Sequence, residues 1–214
     1  MNIISNAVRY NKEKGVYWDY YHDDTRTYEK MLDIHAQLSD NIIFAGGSWI
    51  WNGISPNYSK TYACTKAALS TCKKYNIKEV LCTAWMDNGA ETPVDALLPG
   101  LVLFAHLDFH RDYDETILKQ EFRNCTGGEF DDFMALDNFD SLFLNTKENK
   151  EAQNPSKYLL YQDSMLGIFD YHVKESGVNT KSYYQNIQKC MKECAKKREN
   201  ISFFFHFMKN WRRY

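Results

Sequence analysis

Hydrophobic and polar positions along the first half of the chain predict strands that are each followed by a helix. Three short apolar or aromatic runs have the length and composition of strands. After each run, apolar residues recur every three or four positions, as on one face of a helix. The runs occupy 15–21, 41–45 and 80–84, and the helices are predicted at 25–38, 61–76 and 94–107. Such alternation favours a parallel sheet covered by helices.

The pattern changes after about residue 110, where the apolar spacing becomes helical and no further strand is predicted. Stripes of apolar residues run through 117–125 and 130–136. The polar stretch FLNTKENKEAQNPSK, residues 143–157, predicts a mobile linker. A second apolar block spans 158–173, and residues 183–207 predict a long basic helix. Its end, with three consecutive phenylalanines, suggests a helix that stops short of its packing partners.

Composition and charge exclude several classes of protein. The 214 residues are 44% hydrophobic and 25% charged, which is typical of a globular protein with a sizeable core. A net charge of −2 gives no long-range attraction to nucleic acid or to an anionic membrane. No apolar run approaches the roughly 20 residues of a membrane span. We therefore expect neither nucleic acid nor a membrane as a partner.

The cysteines and the N-terminal sequence predict a cytoplasmic location. The six cysteines lack the paired spacing of a zinc site, and they fit a reducing compartment. Cys190 and Cys194 lie one helical turn apart, a spacing that is more often packing than metal binding. The first residues lack the basic start, apolar stretch and cleavage site of a signal peptide.

Aromatic and acidic residues gather where the predicted strands end. Because the carboxyl ends of parallel strands meet at one edge of a sheet, these side chains should lie together. Indole rings there would stack on a sugar ring, and carboxylates would bind its hydroxyl groups. The candidate residues are Trp18, Asp19, Tyr20, Trp49, Trp51, Trp85, Asp87 and Glu91.

Each of these residues also has a structural explanation. Trp49 and Trp51 share a face and could fill the core. Asp87 could belong to a turn with Asn88 and Gly89, while Glu91 could serve the start of the next helix. Spacing alone leaves these alternatives open.

Two other patterns carry weaker signals. His106 and His110 are separated by one helical turn, but no zinc-protease motif surrounds them, so we interpret them as structural surface residues. Gly46 and Gly47 lack the remaining features of a phosphate-binding loop, which favours close backbone packing or a kink at the strand end. No serine or cysteine nucleophile can be paired with a histidine by spacing.

Four segments together resemble one enzyme family. YWDYYH, NIIFAGGSWIWNG, TAWMDNGAE and NPSKYLLYQDSMLGIFD are similar, in this order, to bacterial exo-β-N-acetylglucosaminidases (β-N-acetylhexosaminidases) of glycoside hydrolase family 20 that carry a helical C-terminal domain. The resemblance implies an α/β fold: residues 1–110 as the last three β/α units of a TIM-type (β/α)8 barrel, and residues 111–214 as an incomplete α-helical domain. One departure is Met86, where a small residue is expected.

The resemblance also implies a reaction. Such enzymes remove terminal β-linked GlcNAc or GalNAc with retention, and the acetamide of the sugar attacks the anomeric carbon in place of an enzyme carboxylate. An adjacent Asp–Glu pair at the fourth strand serves as acetamide orienter and general acid, and no residue here matches it. The tryptophans would form the pocket walls, Asp87 or Glu91 would hold the outer hydroxyls, and Asp19 or Tyr20 would reach the acetamide.

The leading hypothesis is therefore an enzyme fragment that needs no cofactor or metal and is inactive alone. Its partners would be a terminal N-acetylhexosamine and either the missing barrel half or a second copy, because an open sheet exposes apolar strands. The alternative is a non-catalytic carbohydrate-binding or interaction module.

Overall fold

The structure is a computed structural model that describes residues 14–87, 91–142, 148–162 and 165–197. Each predicted strand is a strand, and a helix follows each one. The strands are β1 (Gly15–Trp18), β2 (Ile42–Gly47) and β3 (Glu79–Thr83). The α-helices are α1 (Thr25–Ala36), α2 (Tyr58–Lys74), α3 (Leu98–Phe109), α4 (Glu115–Thr126), α5 (Phe130–Met134), α6 (Pro155–Lys157), α7 (Asp170–Ser176) and α8 (Thr180–Lys197). Short 3₁₀ segments occupy Val94–Leu97 and Ala135–Asp140, and a π-helical turn occupies Tyr158–Gln162.

The three strands form a parallel sheet in the order β1-β2-β3. Trp18, Ala45 and Leu81 lie opposite one another in the register, so their side chains share one face. Within the described residues, β1 and β3 each pair along one edge only. A small parallel sheet with helices is thus present, as predicted, and no strand of the described residues pairs with either of its outer edges.

The two faces of the sheet have different surroundings. Tyr17 and Phe44 are neighbours on the face that the helices cover, and both belong to the hydrophobic core. On the opposite face Trp18 and Leu81 are 50% and 46% exposed. The sheet is therefore buried on one side and only partly covered on the other.

Side-chain caps fix where the first helices begin. Asp24 accepts a hydrogen bond from the Thr27 backbone N–H at 2.8 Å, which confirms the predicted cap of α1. Asn57 accepts one from the Lys60 N–H at 2.8 Å and begins α2. These caps place both helices immediately after the segments that follow β1 and β2.

The predicted boundaries of the three strands differ from the observed ones by one to three residues, and β3 is shifted by one. β1 ends at Trp18 instead of continuing to residue 21, because the Asp19 carboxylate accepts hydrogen bonds from the Tyr21 and His22 N–H groups and folds the chain into a turn. β2 continues through Gly46 and Gly47, which lie opposite Cys82 and Thr83 in β3.

The second half of the chain packs directly on the first. Ser55 Oγ donates a hydrogen bond to the Leu136 carbonyl at 2.6 Å, and the Tyr58 N–H donates one to Asp137 Oδ1 at 2.8 Å. One hydrophobic cluster contains Phe44 from the sheet and Phe122 from α4. The two predicted domains therefore share a core.

Residues 148–157 contradict the predicted mobile linker. Asn149, Ser156 and Lys157 are 1%, 0% and 3% exposed. Their polar groups bond to other parts of the chain instead of to solvent, as described below. Residues 143–147 of the predicted linker lie outside the described residues.

The last described helix agrees with the predicted one as far as it can be followed. α8 runs from Thr180 to Lys197, and residues 198–207 of the predicted helix lie outside the described part of the chain. Among the helices that the structure describes, none combines the length and apolar character needed to span a membrane.

Candidate functional site

Six aromatic rings meet where the three strands end. We call this group the aromatic cluster. Its members are Trp18, Tyr20, Tyr21, Trp49, Trp51 and Trp85. Trp18 ends β1, and the others come from the segments that follow β1, β2 and β3, so these rings converge at one edge of the sheet, as predicted. The rings fall into an exposed pair, a buried pair and a central tyrosine, with Tyr21 beside them.

The exposed pair consists of Trp18 and Trp85. Their ring centroids lie 5.8 Å apart with an interplanar angle of 49°. Trp18 is 50% exposed and Trp85 is 37% exposed. Ring surface on both indoles is therefore open to solvent, and a flat apolar ligand surface could stack on it.

The buried pair consists of Trp49 and Trp51. Their rings stack at 4.5 Å, and the residues are 3% and 8% exposed. Trp49 Nε1 donates a hydrogen bond to the Tyr20 carbonyl at 2.7 Å. This packing matches the structural alternative considered for the two residues, and it also makes them a rigid support for Tyr20.

The two glycines of β2 allow this close packing. A Cβ on Gly47 would lie 2.9 Å from Trp51 Cη2 and 3.3 Å from Tyr20 Cβ. A Cβ on Gly46 would lie 2.7 Å from Cζ of Phe104 in α3. The prediction of close backbone packing is confirmed, with one glycine against the cluster and the other against a helix.

Tyr20 is the centre of the cluster. Its ring lies 5.1 Å from Trp51, 6.3 Å from Trp49 and 6.4 Å from Trp85. Burial raises the pKa of its hydroxyl, and Tyr21 and the Asp87 carboxylate raise it further. The hydroxyl therefore stays protonated and able to donate a hydrogen bond near neutral pH.

Asp19 holds the turn that presents Tyr20. It is 7% exposed, and its carboxylate accepts from the Tyr17 hydroxyl at 2.8 Å and from the Tyr21 N–H at 2.9 Å. His22 Nδ1 lies 2.7 Å from Asp19 Oδ2. Because these contacts engage both carboxylate oxygens, the geometry favours a positioning role over direct ligand contact, and the predicted sugar contact stays a prediction.

The remaining predicted acidic residues lie after β3. Asp87 is exposed and close enough to Tyr20 to affect its pKa. Glu91 is partly buried, and its Oε1 lies 3.1 Å from Nζ of Lys157. Next to it, Thr92 donates a hydrogen bond to the Gly53 carbonyl at 2.8 Å, which holds this segment against the loop that carries Trp51. The predicted turn at Asn88 and Gly89 lies outside the described residues.

His106 in α3 is not the surface residue that we predicted, whereas His110, which caps the end of α3, is partly exposed. His106 is 1% exposed, and its Nδ1 lies 2.7 Å from Glu121 Oε2, while His110 Nε2 lies 2.6 Å from Glu121 Oε1. These three side chains hold potential metal-ligating atoms within 4.8 Å of one another.

The same network also explains these side chains without a metal. The Asp114 N–H donates to His106 Nε2 at 3.1 Å, so Nε2 must carry a lone pair. In the neutral ring the proton then lies on Nδ1 and is donated to Glu121. A metal at Nδ1 would require a proton on Nε2, facing the Asp114 N–H.

Sequence reasoning missed Lys157, Glu121 and the contacts of the 149–157 segment. Lysine and asparagine in a polar stretch normally indicate a solvated loop. The one available signal was Asn154-Pro155-Ser156, an N-terminal helix signature within the presumed linker, and it marks α6.

Comparison with known protein families gives a match to the second half of the chain. Residues 131–213 match the family model described as the Glycoside Hydrolase 20C C-terminal domain. The matched range starts in α5 and includes the 149–157 segment, and it supports the resemblance to glycoside hydrolase family 20. The three strands lie outside it. No curated protein matches the chain.

Proposed function

We propose that the chain is the amino-sugar-binding part of a retaining, substrate-assisted β-N-acetylhexosaminidase of glycoside hydrolase family 20. One observation carries the proposal. The ring centroids of two partly exposed indoles, Trp18 and Trp85, lie 5.8 Å apart at the carboxyl ends of parallel strands. This is the edge at which α/β proteins bind ligands. The match of residues 131–213 adds independent support for the family.

We assign a separate role to each predicted residue on the basis of its exposure and contacts. Trp18 and Trp85 would stack on the C–H face of the pyranose ring, because their rings have open surface. Trp49 and Trp51 form the buried wall behind Tyr20. In this proposal the Tyr20 hydroxyl, or Asp19, would reach the acetamide. Asp19 keeps the turn of Tyr20 in place.

One of two carboxylates, Asp87 or Glu91, would bind the outer hydroxyl groups. Asp87 is exposed next to Tyr20, and Glu91 is held in an ion pair. Ionised carboxylates accept charge-assisted hydrogen bonds from hydroxyls, which are stronger than neutral ones. Both therefore remain candidates for sugar selectivity.

The acid/base chemistry would come from elsewhere in a complete barrel. In the proposed reaction the acetamide oxygen attacks the anomeric carbon and forms a cyclic intermediate, while a carboxylic acid protonates the leaving oxygen. The open edges of β1 and β3 fit three units of a (β/α)8 barrel, which would pair with further strands. The proposed setting is a reducing, cytoplasmic one.

Sugar binding by the chain tests the proposal directly. Titration with GlcNAc should quench tryptophan fluorescence, and glucose, which lacks the acetamide, should bind much more weakly. Trp85→Ala should weaken GlcNAc binding about tenfold or more, since removing an aromatic ring on which a nucleic-acid base stacks costs about 1–3 kcal/mol and a stacked sugar ring should lose a similar amount. Phe109→Ala is the matched control, because Phe109 is 86% exposed and lies outside the cluster.

The outcomes separate the proposal from its alternatives. Equal binding of GlcNAc and glucose, or equal effects of the two alanine variants, would contradict an amino-sugar site. Hydrolysis of a chromogenic β-GlcNAc by the chain mixed with a polypeptide carrying barrel strands one to five would support the enzyme. Binding with no turnover in that mixture would favour a non-catalytic carbohydrate-binding module.

A further inference from the structure

We propose that Tyr21 forms a second sugar subsite next to the exposed tryptophan pair, so that the site takes a β-linked di- or oligosaccharide in preference to a single hexosamine. This inference rests on the proposed function, and it names the part of the substrate beyond the terminal sugar. Trp18 and Trp85 would hold the terminal N-acetylhexosamine. The ring of Tyr21 would stack on the sugar to which that hexosamine is linked.

Tyr21 is the most exposed member of the aromatic cluster. The residue is 56% exposed, compared with 50% for Trp18 and 37% for Trp85. An isolated exposed aromatic residue on a protein surface needs no functional explanation. Tyr21 differs because it adjoins a group of rings that are themselves open to solvent.

The rings of the cluster that reach solvent contact one another in series. The ring centroid of Trp85 lies 5.8 Å from that of Trp18 and 6.4 Å from that of Tyr20. Tyr20, which is intermediate in exposure, lies 4.8 Å from Tyr21. These separations are typical of aromatic rings in direct contact. A pyranose ring is about the size of one aromatic ring, so the series has room for more than one sugar.

The backbone on both sides of Tyr21 is fixed by hydrogen bonds. The Tyr21 and His22 N–H groups donate to Asp19 Oδ1 at 2.9 and 3.2 Å. The Tyr28 hydroxyl donates to the His22 carbonyl at 2.6 Å. A tyrosine ring on such a turn has only two side-chain torsions to lose, so ligand binding costs little conformational entropy.

Two rings of the cluster support Tyr21 from the protein side. Its ring lies 4.8 Å from Tyr20 at 44°, and 5.2 Å from Trp49 at 88°, which is an edge-to-face contact. Trp49 is 3% exposed, so this contact faces the interior. The exposed surface of Tyr21 lies away from it and is available to a ligand.

The chemistry of an N-acetylhexosaminide places the second sugar near Tyr21. In such a sugar the acetamide is on C2, next to the C1 atom that carries the linked sugar. Under the proposed function Tyr20 or Asp19 reaches the acetamide, so C1 and the linked sugar lie close to these residues. Tyr21 follows Tyr20 both in the chain and in the series of rings. The linked sugar would therefore meet Tyr21 and not the Trp18 end of the series.

The test compares methyl β-GlcNAc with the β-1,3- and β-1,4-linked disaccharides of GlcNAc by calorimetry. The wild-type chain should bind at least one disaccharide about tenfold more tightly, by analogy with the loss when a ring that stacks on a nucleic-acid base is removed. Tyr21→Ala should remove this gain, because it should weaken disaccharide binding far more than binding of the methyl glycoside. Tyr21→Phe should keep the gain, since the ring and not the hydroxyl makes the proposed contact.

Further variants separate a subsite from a structural ring. Trp85→Ala should weaken binding of both kinds of sugar by the same factor, since both place their terminal sugar on the indoles. Tyr171→Ala is the matched control, because Tyr171 is 68% exposed and its ring contacts His172 outside the cluster. Tyr21→Leu provides a second route if Tyr21→Ala does not fold, since it keeps an apolar contact with Trp49 but offers no flat ring.

The possible results distinguish the inference from the proposed function. Disaccharides that bind the wild-type chain no more tightly than methyl β-GlcNAc would overturn the inference and leave the terminal-sugar site intact. A Tyr21→Ala or Tyr21→Leu chain that binds all three sugars more weakly by one common factor would also overturn it, because Tyr21 would then only support the cluster. A wild-type chain that binds none of these sugars would instead remove the proposed function, and the inference with it.

Discussion

Asp140 should make the stability of the protein depend on pH in a way that one substitution removes. The residue is 7% exposed, and its Oδ1 accepts a hydrogen bond from the Ser156 N–H at 2.9 Å. Burial raises the pKa of its carboxyl group from 3.8 to about 6, against the opposing effect of the Ser156 hydrogen bonds. Asp140→Asn keeps an acceptor for Ser156 but cannot ionise.

The direction of the effect follows from the proton count. Between pH 3.8 and about 6 the folded protein keeps a proton on Asp140 that the unfolded chain releases. The contribution of Asp140 to the free energy of unfolding should therefore fall as pH rises through this interval and stay level above it. Since one pKa unit corresponds to about 1.4 kcal/mol, the loss is at most about 3 kcal/mol.

Urea unfolding across this pH range measures how the free energy of unfolding changes with pH. Asp140→Asn should match the wild-type chain below pH about 4 and exceed its unfolding free energy by up to about 3 kcal/mol above pH about 6. Asp112→Asn, at an exposed carboxylate, is the control and should keep the wild-type dependence of unfolding free energy on pH. If Asp140→Asn shows the same change of unfolding free energy with pH as the wild-type chain, or is less stable than it at neutral pH, ionisation of the buried Asp140 carboxylate does not destabilise the fold. Either result would refute the prediction.

Two further substitutions test packing and the histidine network. Gly47→Ala places a Cβ 2.9 Å from Trp51 Cη2. It should therefore lower the unfolding free energy by about 1–3 kcal/mol and weaken the near-UV circular dichroism of the stacked indoles. An unchanged midpoint of urea unfolding would contradict this packing. Burial raises the pKa of Glu121, but hydrogen bonds from His110 and His106 outweigh it and lower the net value. Glu121→Gln should therefore lower the free energy of unfolding by about 2 kcal/mol near neutral pH. This difference from the wild-type chain should vanish as pH falls through the lowered pKa of Glu121. A difference that persists in acid would contradict an ionised Glu121 in this network.

The elements of the first half could be predicted because their signals are local. A buried parallel strand such as β2 is a short apolar run, and α2 repeats its apolar residues at helical spacing. The position of the aromatic cluster followed from topology, since parallel strands bring their carboxyl ends together. Neither inference required knowledge of contacts between distant residues.

The rest of the site depends on such distant contacts. Whether Trp49 faces solvent is decided by the Tyr20 carbonyl, 29 positions away, which accepts from its Nε1. Glu91 meets Lys157 through a segment whose polar composition is also that of a solvated linker. Composition records how polar a segment is, but it does not record whether its partners are water or protein.

Two exposed features of the sheet have one explanation under the proposed function. Leu81 and Trp18 occupy the same row and face of the sheet and are each about half exposed, while β1 and β3 each have one open edge within the described residues. Open edges and exposed apolar strand faces favour association. Further strands on these edges would bury Leu81 in a barrel interior, whereas Trp18 ends β1 and would remain at the mouth beside Trp85. Sugar binding should then strengthen when those strands are supplied, because the same addition that covers the sheet completes the wall around the indoles.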